Sequence, residues 1–206
     1  MSILEYNGGS VIAMVGDGCV AIASDLRFGI QAQTVSNNFS KVFEVPGTGA
    51  LVGLSGLATD IQTVEQIIRF RSGLYSLRED RSMKPSTVGH VISSLLYEKR
   101  FGPYFVEPVV CGLEGKDSKP YIVAMDLIGA PVFAEDFVVA GTSSEALYGL
   151  CETFWKPNMG PDELFEVLSQ AFLAAINRDA ITGWGAEVTI LTPTKIIKRT
   201  LKTRQD

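Results

Sequence analysis

The chain has 206 residues, 46% of them hydrophobic and 20% charged; that length suits one domain with a substantial core, and the composition is too apolar for a disordered segment. A net charge of −5 and an isoelectric point near 5.0 argue against a nucleic-acid binder, which presents a basic face to phosphates. The mean hydropathy of +0.20 is high for a soluble chain and points to a large core or to apolar surface covered by partner subunits.

Residues 1–8 read as a short N-terminal extension, with neither the positive nor the apolar segment of a secretory signal. Two apolar runs, 10–15 and 19–24, flank Gly16-Asp17-Gly18, a hairpin-turn signal. Their near-continuous hydrophobicity predicts strands buried on both faces. Short strands are expected at 31–35, 42–45 and 50–54, punctuated by Asn, Pro and Gly. The uncharged apolar stretch between Glu44 and Asp60 is glycine-rich and too short to span a bilayer, so the expectation is an intracellular, soluble protein with no membrane partner.

The period then changes. Leu57, Ile61, Val64, Ile67 and Ile68 recur at helical spacing, and Val88, Val91, Ile92, Leu95 and Leu96 form a second stripe, entered through Pro85-Ser86-Thr87 and closed by Gly102-Pro103. Strands are expected at 106–111, 121–126 and 137–140, helices at about 144–154 and 161–177, and closing strands at 186–191 and 195–200. Residues 201–206 form a tail, and the basic cluster Lys195, Lys198, Arg199, Lys202 and Arg204 reads as a solvated edge. Strands, two helices, strands, two helices, strands is not βαβ alternation. The expected fold is α+β: one domain over 1–206, a four-layer α-β-β-α sandwich of two antiparallel sheets.

Cys19, Cys111 and Cys151 lie far apart in apolar contexts and read as buried free thiols. His90 is the only histidine, which excludes a His-based triad and makes a zinc site improbable; no metal or cofactor is expected.

Five stretches recur in a meaningful order. They are the opening hairpin running into Ala23-Ser24-Asp25-Leu26-Arg27, then Lys41, then Gly56-Leu57-Ala58-Thr59-Asp60, then Gly141-Thr142-Ser143-Ser144, then Arg178-Asp179-Ala180-Ile181-Thr182-Gly183. In order and spacing they resemble the proteasome beta-subunit family, N-terminal-nucleophile hydrolases, from about Gly8 to Thr200. The segments 27–33, 96–104 and 126–129 look specifically like one beta-type member of the eukaryotic core particle.

The resemblance implies a mechanism and a defect in it. Active members expose a threonine at the chain start, whose hydroxyl attacks a peptide carbonyl while its amine acts as base. Here that position falls on Gly9, which has no hydroxyl. Asp25, Arg27 and Lys41 match the supporting positions, Gly56 the oxyanion glycine, and Thr142, Asp179 and Thr182 the outer shell; Ser143 and Trp184 replace glycines of the family pattern. Taken as ordinary residues, Lys41 would be a surface lysine, Asp25 and Arg27 a strand-end ion pair, Thr142 and Asp179 helix-cap and loop-fixing residues, and His90 partly exposed or at the core edge.

The implied function is therefore a non-catalytic beta subunit of the 20S core proteasome. It would sit in a heptameric beta ring, touch alpha-ring subunits and the opposite beta ring, meet polypeptide substrates only indirectly, and support ubiquitin-dependent protein degradation in cytoplasm and nucleus. Asp126 matches a position lining a neighbour's substrate pocket, where a carboxylate favours basic side chains; its plainer reading is a strand-end turn residue. Two alternatives stand beside this: an active peptidase using Ser2 or Ser10, and a stand-alone binding module. Ser2 lies well before the first strand, and the Ser10 side chain should point to the opposite strand face from position 9.

Overall fold

The structure is a computed structural model and describes residues 2–115 and 117–205; Met1 of the extension and Asp206 of the tail lie outside the described residues. After a 3₁₀ turn at Ile3–Glu5, the hairpin β1 (Ser10–Gly16) and β2 (Cys19–Asp25) forms as expected around Gly16-Asp17-Gly18, in register from Val11↔Ser24 to Gly16↔Cys19. The chain continues through β3 (Phe28–Ile30), β4 (Gln33–Ser36), β5 (Val42–Val45), β6 (Ala50–Gly56), α1 (Ala58–Glu79), α2 (Pro85–Tyr97), β7 (Val106–Glu114), β8 (Lys119–Met125), β9 (Pro131–Ala134) and β10 (Phe137–Gly141). It ends with α3 (Ser144–Phe154), α4 (Pro161–Ile176), β11 (Ala186–Leu191) and β12 (Ile196–Leu201).

Two five-stranded antiparallel sheets result, in the orders β10-β1-β2-β11-β12 and β5-β6-β7-β8-β9, with β3-β4 as a separate hairpin. Val11, Ala13, Val20, Ile22, Leu51, Val109, Cys111 and Val138 fill the space between the sheets. Ile12, Met14 and Ala21 face α3 and α4 through Leu147, Leu164, Leu168 and Phe172. Val52, Leu54 and Val110 face α1 and α2 through Ile61, Val64, Ile92 and Leu96. This is the α-β-β-α sandwich. Full burial of one such aliphatic side chain stabilises by roughly 1.5–3 kcal/mol. Exposed pairs such as Arg69–Glu65 and Arg71–Glu98 contribute about 0–1 kcal/mol each, so the apolar layers hold the fold.

The structure departs from these expectations in several places. The strand expected at 31–35 is β4, at Gln33–Ser36, because Gln31 takes a left-handed φ of 54° in the turn that joins β4 to the unforeseen β3. β9 was also unforeseen. α1 runs on to Glu79, well past the periodic stripe, and α2 stops at Tyr97 rather than at Gly102-Pro103. Residues 98–102 instead form successive turns, with Lys99, Arg100 and Gly102 N–H groups donating three residues back.

Candidate functional site

The first sheet brings three chain segments to one of its ends. β1 and β2 pair Val11 with Ser24, and β2 and β11 pair Asp25 with Ala186. Residues 9, 10, 25 and 183–185 therefore converge there. Lys41, just before β5, reaches in from the second sheet, its carbonyl accepting the N–H of Leu54 at 2.9 Å.

Asp25 ends β2 fully buried. Its Oδ1 accepts the Lys41 ammonium and the Ser10 N–H, each at 3.0 Å, and its Oδ2 accepts the N–H groups of Arg27 (3.3 Å) and Gly183 (3.4 Å). Lys41 is 2% exposed, and its Nζ also donates to the carbonyls of Asp25 (3.2 Å) and Arg27 (2.9 Å). An ammonium has three protons, and all three are engaged. Burial pulls the Lys41 pKa below its ordinary range, while the Asp25 carboxylate pushes it back up. Lys41 is thus no surface lysine. Nor do Asp25 and Arg27 make a side-chain ion pair: the carboxylate pairs with Lys41, and Arg27 offers Asp25 only its backbone N–H.

The Arg27 side chain, 1% exposed, spreads over four other acceptors. It donates to Thr34 Oγ1 (3.0 Å) and to the carbonyls of Gln31 (2.8 Å), Ile181 (3.0 Å) and Asn7 (3.3 Å). One guanidinium so ties the residues before Gly9 to the β3–β4 hairpin and to the loop before β11.

Gly9 is the centre of this arrangement. A β-carbon built on it would lie 2.6 Å from Lys41 Cε and 3.3 Å from Asp25 Oδ1. A side chain here would point straight at the buried ion pair, and none exists. The backbone φ of 120° is one that residues with a side chain rarely adopt. In the described chain the Gly9 nitrogen is an amide whose single proton goes to Thr182 Oγ1 at 3.2 Å. Neither a nucleophilic oxygen nor a basic amine is available at this position.

The remaining matched residues lie beside it. Asp179 Oδ2 accepts hydroxyl protons from Thr142, Ser143 (2.8 Å) and Thr182 (2.7 Å), and Oδ1 accepts the Ile181 N–H at 3.1 Å. Burial alone would raise the Asp179 pKa, but these hydrogen bonds together hold it below its ordinary value. Thr142 N–H donates to the Gly9 carbonyl at 3.0 Å. The helix-cap reading of Thr142 fails, since the α3 N-cap is Ser143, which makes no side-chain capping bond. Ser143, noted in the sequence only as a lost glycine, is a member of the Asp179 cluster. Gly56 closes β6 opposite Val106, with only Leu57 between it and α1. Two residues on, the N–H of Ala58, which opens α1, donates to Asn7 Oδ1 at 2.9 Å.

The two serines weighed as nucleophiles are otherwise engaged. Ser2 Oγ accepts the Leu4 N–H at 3.3 Å in a capping box on the exposed 3₁₀ turn. Ser10 Oγ is buried and accepts the Ser143 N–H at 2.9 Å, away from the Lys41 side of the chain. The thiols are no better placed. Cys19 and Cys151 are pushed up to about 11 and about 12, chiefly by burial, and Cys111 further still. Among the described residues, no group of three or more His, Cys, Asp or Glu is placed to hold a metal ion.

Asp126 stands apart from this network, exposed on the turn after β8. Its Oδ1 accepts the N–H groups of Ile128 (3.1 Å) and Ala130 (2.8 Å), as a turn aspartate does. It also rims a cavity of about 250 Å³ whose lining includes Glu107, Met125, Val139, Ser144 and Tyr148. A larger groove of about 420 Å³ lies between α1 and α2, where His90 is exposed. Sequence reasoning missed Asn7 and Gln31. The only local signal was the Asn7-Gly8 dipeptide, which reads as a turn.

A family model described as proteasome subunit matches residues 5–191. Over all 206 residues, and over the whole of each relative, the chain is 58% identical to a proteasome subunit beta type-3 of Drosophila melanogaster and 56% identical to that of Dictyostelium discoideum. It is 54% identical, over the same span, to a probable proteasome subunit beta type-3 of Schizosaccharomyces pombe.

Proposed function

The chain belongs to the proteasome subunit family, and from that premise we propose that it serves as a non-catalytic beta subunit, a shaped wall of the proteolytic core rather than one of its cutting sites. The observation that carries this is Gly9. Around it stand a buried lysine, a buried aspartate and a hydroxyl-bound carboxylate, the surroundings an N-terminal nucleophile needs, yet position 9 offers a hydrogen atom and an amide. The cluster then has one remaining task, which is to lock the ends of β1, β2 and the loop before β11 by hydrogen bonding.

In this reading the subunit fills one place in a heptameric beta ring, against two beta neighbours, an alpha-ring subunit and the opposite beta ring. It acts in ubiquitin-dependent protein degradation in cytoplasm and nucleus. The uncovered apolar side chains Phe70, Leu77, Phe101, Val132 and Phe133 support a chain meant to be covered by partners. Asp126 contributes its carboxylate to a neighbour's substrate pocket. Mass spectrometry of the purified particle, after treatment with an electrophilic peptide inhibitor, tests the reading. The expected chain keeps its extension and carries no label; a chain beginning at residue 9 or 10 with the inhibitor attached would overturn it.

A further inference from the structure

The chain holds five asparagines, at positions 7, 37, 38, 158 and 177, and only Asn7 is followed by glycine. Both members of that pair are required by the fold. Asn7 is 7% exposed; its Nδ2 donates to the Gly29 carbonyl at 2.8 Å, and its Oδ1 accepts the Ala58 N–H at 2.9 Å. Donating on one side and accepting on the other is what a carboxamide does, whereas a carboxylate has no proton to give. Gly8 takes a φ of 70°, and a β-carbon on it would run into the Ile181 carbonyl, so a side chain does not fit there.

Asparagine followed by glycine is the pair most open to self-modification, because no β-carbon shields the second nitrogen and its backbone turns freely. The Gly8 nitrogen attacks the Asn7 side-chain carbonyl carbon. A C–N bond forms there, the bond to Nδ2 breaks, and that nitrogen departs as ammonia with the proton from Gly8. Water then opens the five-membered imide at either carbonyl. One product is an aspartate at position 7. The other is an isoaspartate, whose main chain runs through the former side chain and is one carbon longer. Nothing is oxidised or reduced.

Folding decides whether the step occurs. In the folded chain the carboxamide can swing toward the Gly8 nitrogen only by giving up both hydrogen bonds, and the Asn7 carbonyl is itself held by Arg27 Nη1 at 3.3 Å. We propose that Asn7–Gly8 is a modification site that records time spent unfolded: it stays intact in the folded protein and deamidates in the unfolded chain. The product cannot rebuild this end of β1. An aspartate sets a carboxylate oxygen against the Gly29 carbonyl, two acceptors with no proton between them in a buried place. An isoaspartate displaces Gly8 from its close seat against Ile181. The pair thereby marks, and keeps out of assembly, chains that linger unfolded. It rests on the proposed reading only in that residues 1–8 stay attached; their removal would appear as loss of the residue 7 peptide rather than as its conversion.

Peptide mass spectrometry of the full chain tests it. In denaturant at mildly alkaline pH, residue 7 should gain about one mass unit roughly a hundredfold faster than in the assembled particle. G8A, read in denaturant where the Ile181 contact is absent, should lose most of that conversion. Chains recovered outside the particle should carry aspartate or isoaspartate at position 7, and chains within it asparagine. N7D, coexpressed with the wild-type chain, should be depleted from the particle by about tenfold or more. Equal conversion in the folded and unfolded states, an unslowed G8A chain, the same residue 7 composition inside and outside the particle, or N7D entering as readily as the wild type would each defeat the proposal.

Discussion

Lys41 Nζ and Asp25 Oδ1 lie 3.0 Å apart, almost without solvent, beneath a backbone position that carries no side chain. A buried ion pair is weak evidence for stability, because desolvating two charges offsets much of their attraction. Removing one partner is another matter, since the survivor is left charged and unpaired.

D25L or K41M alone should therefore lower stability by roughly 3–5 kcal/mol. D25L combined with K41M, apolar on both sides, should lose markedly less than the sum of the two single changes. Denaturant titration of the four proteins around that cycle checks this. Additive losses would mean that the pair is not coupled.

G9T should gain no activity. Its β-carbon would crowd Lys41 Cε, the left-handed φ would be strained, and the residue-9 nitrogen would still be an amide. Destabilisation of about 1–3 kcal/mol is expected. Covalent labelling by an electrophilic peptide, read on this chain, is the measurement, and the expected result is none.

Asp179 gives the protein an acid-sensitive term. Its folded-state pKa lies below the ordinary 3.8, so the unfolded chain takes up the proton more readily. The stabilisation is complete above the unfolded value and drains away as pH falls through the lower folded one. D179N should be less stable than the wild type at neutral pH, with the gap narrowing below about pH 4. Thermal unfolding from neutral to strongly acidic pH measures it; a gap that does not change with pH would contradict it.

D126N separates charge from turn. The asparagine Oδ1 can still accept from the Ile128 and Ala130 N–H groups, so stability should hold. The lost carboxylate should slow cleavage after Lys and Arg by roughly threefold to tenfold, while cleavage after apolar residues stays level. Fluorogenic peptides on the assembled particle read out both.

Regular patterns made most of the fold legible. Gly16-Asp17-Gly18 between two apolar runs announced the first hairpin, and the stripe through Leu164, Leu168, Ala171 and Phe172 announced α4. The half of α1 after Arg69 was hidden because Phe70 and Leu77 point outward and blur the apolar stripe. β9 was hidden because it begins at Pro131, spans four residues and exposes Val132 and Phe133.

At the site, spacing alone could not gather Asp25, Lys41, Thr142, Asp179 and Thr182; only the resemblance did. Asn7 escaped both routes. Its partners lie 22 and 51 residues away, and a lone asparagine has neither period nor motif.

The closeness of Lys41 to Gly9 also closes the position to any side chain. With no β-carbon at position 9, the Lys41 chain fills the room beside it and makes three hydrogen bonds, while Gly8 lies against Ile181. A threonine side chain there would meet a seat already taken, at the end of a strand still joined to what precedes it, so packing as well as composition keeps a hydroxyl out of this position.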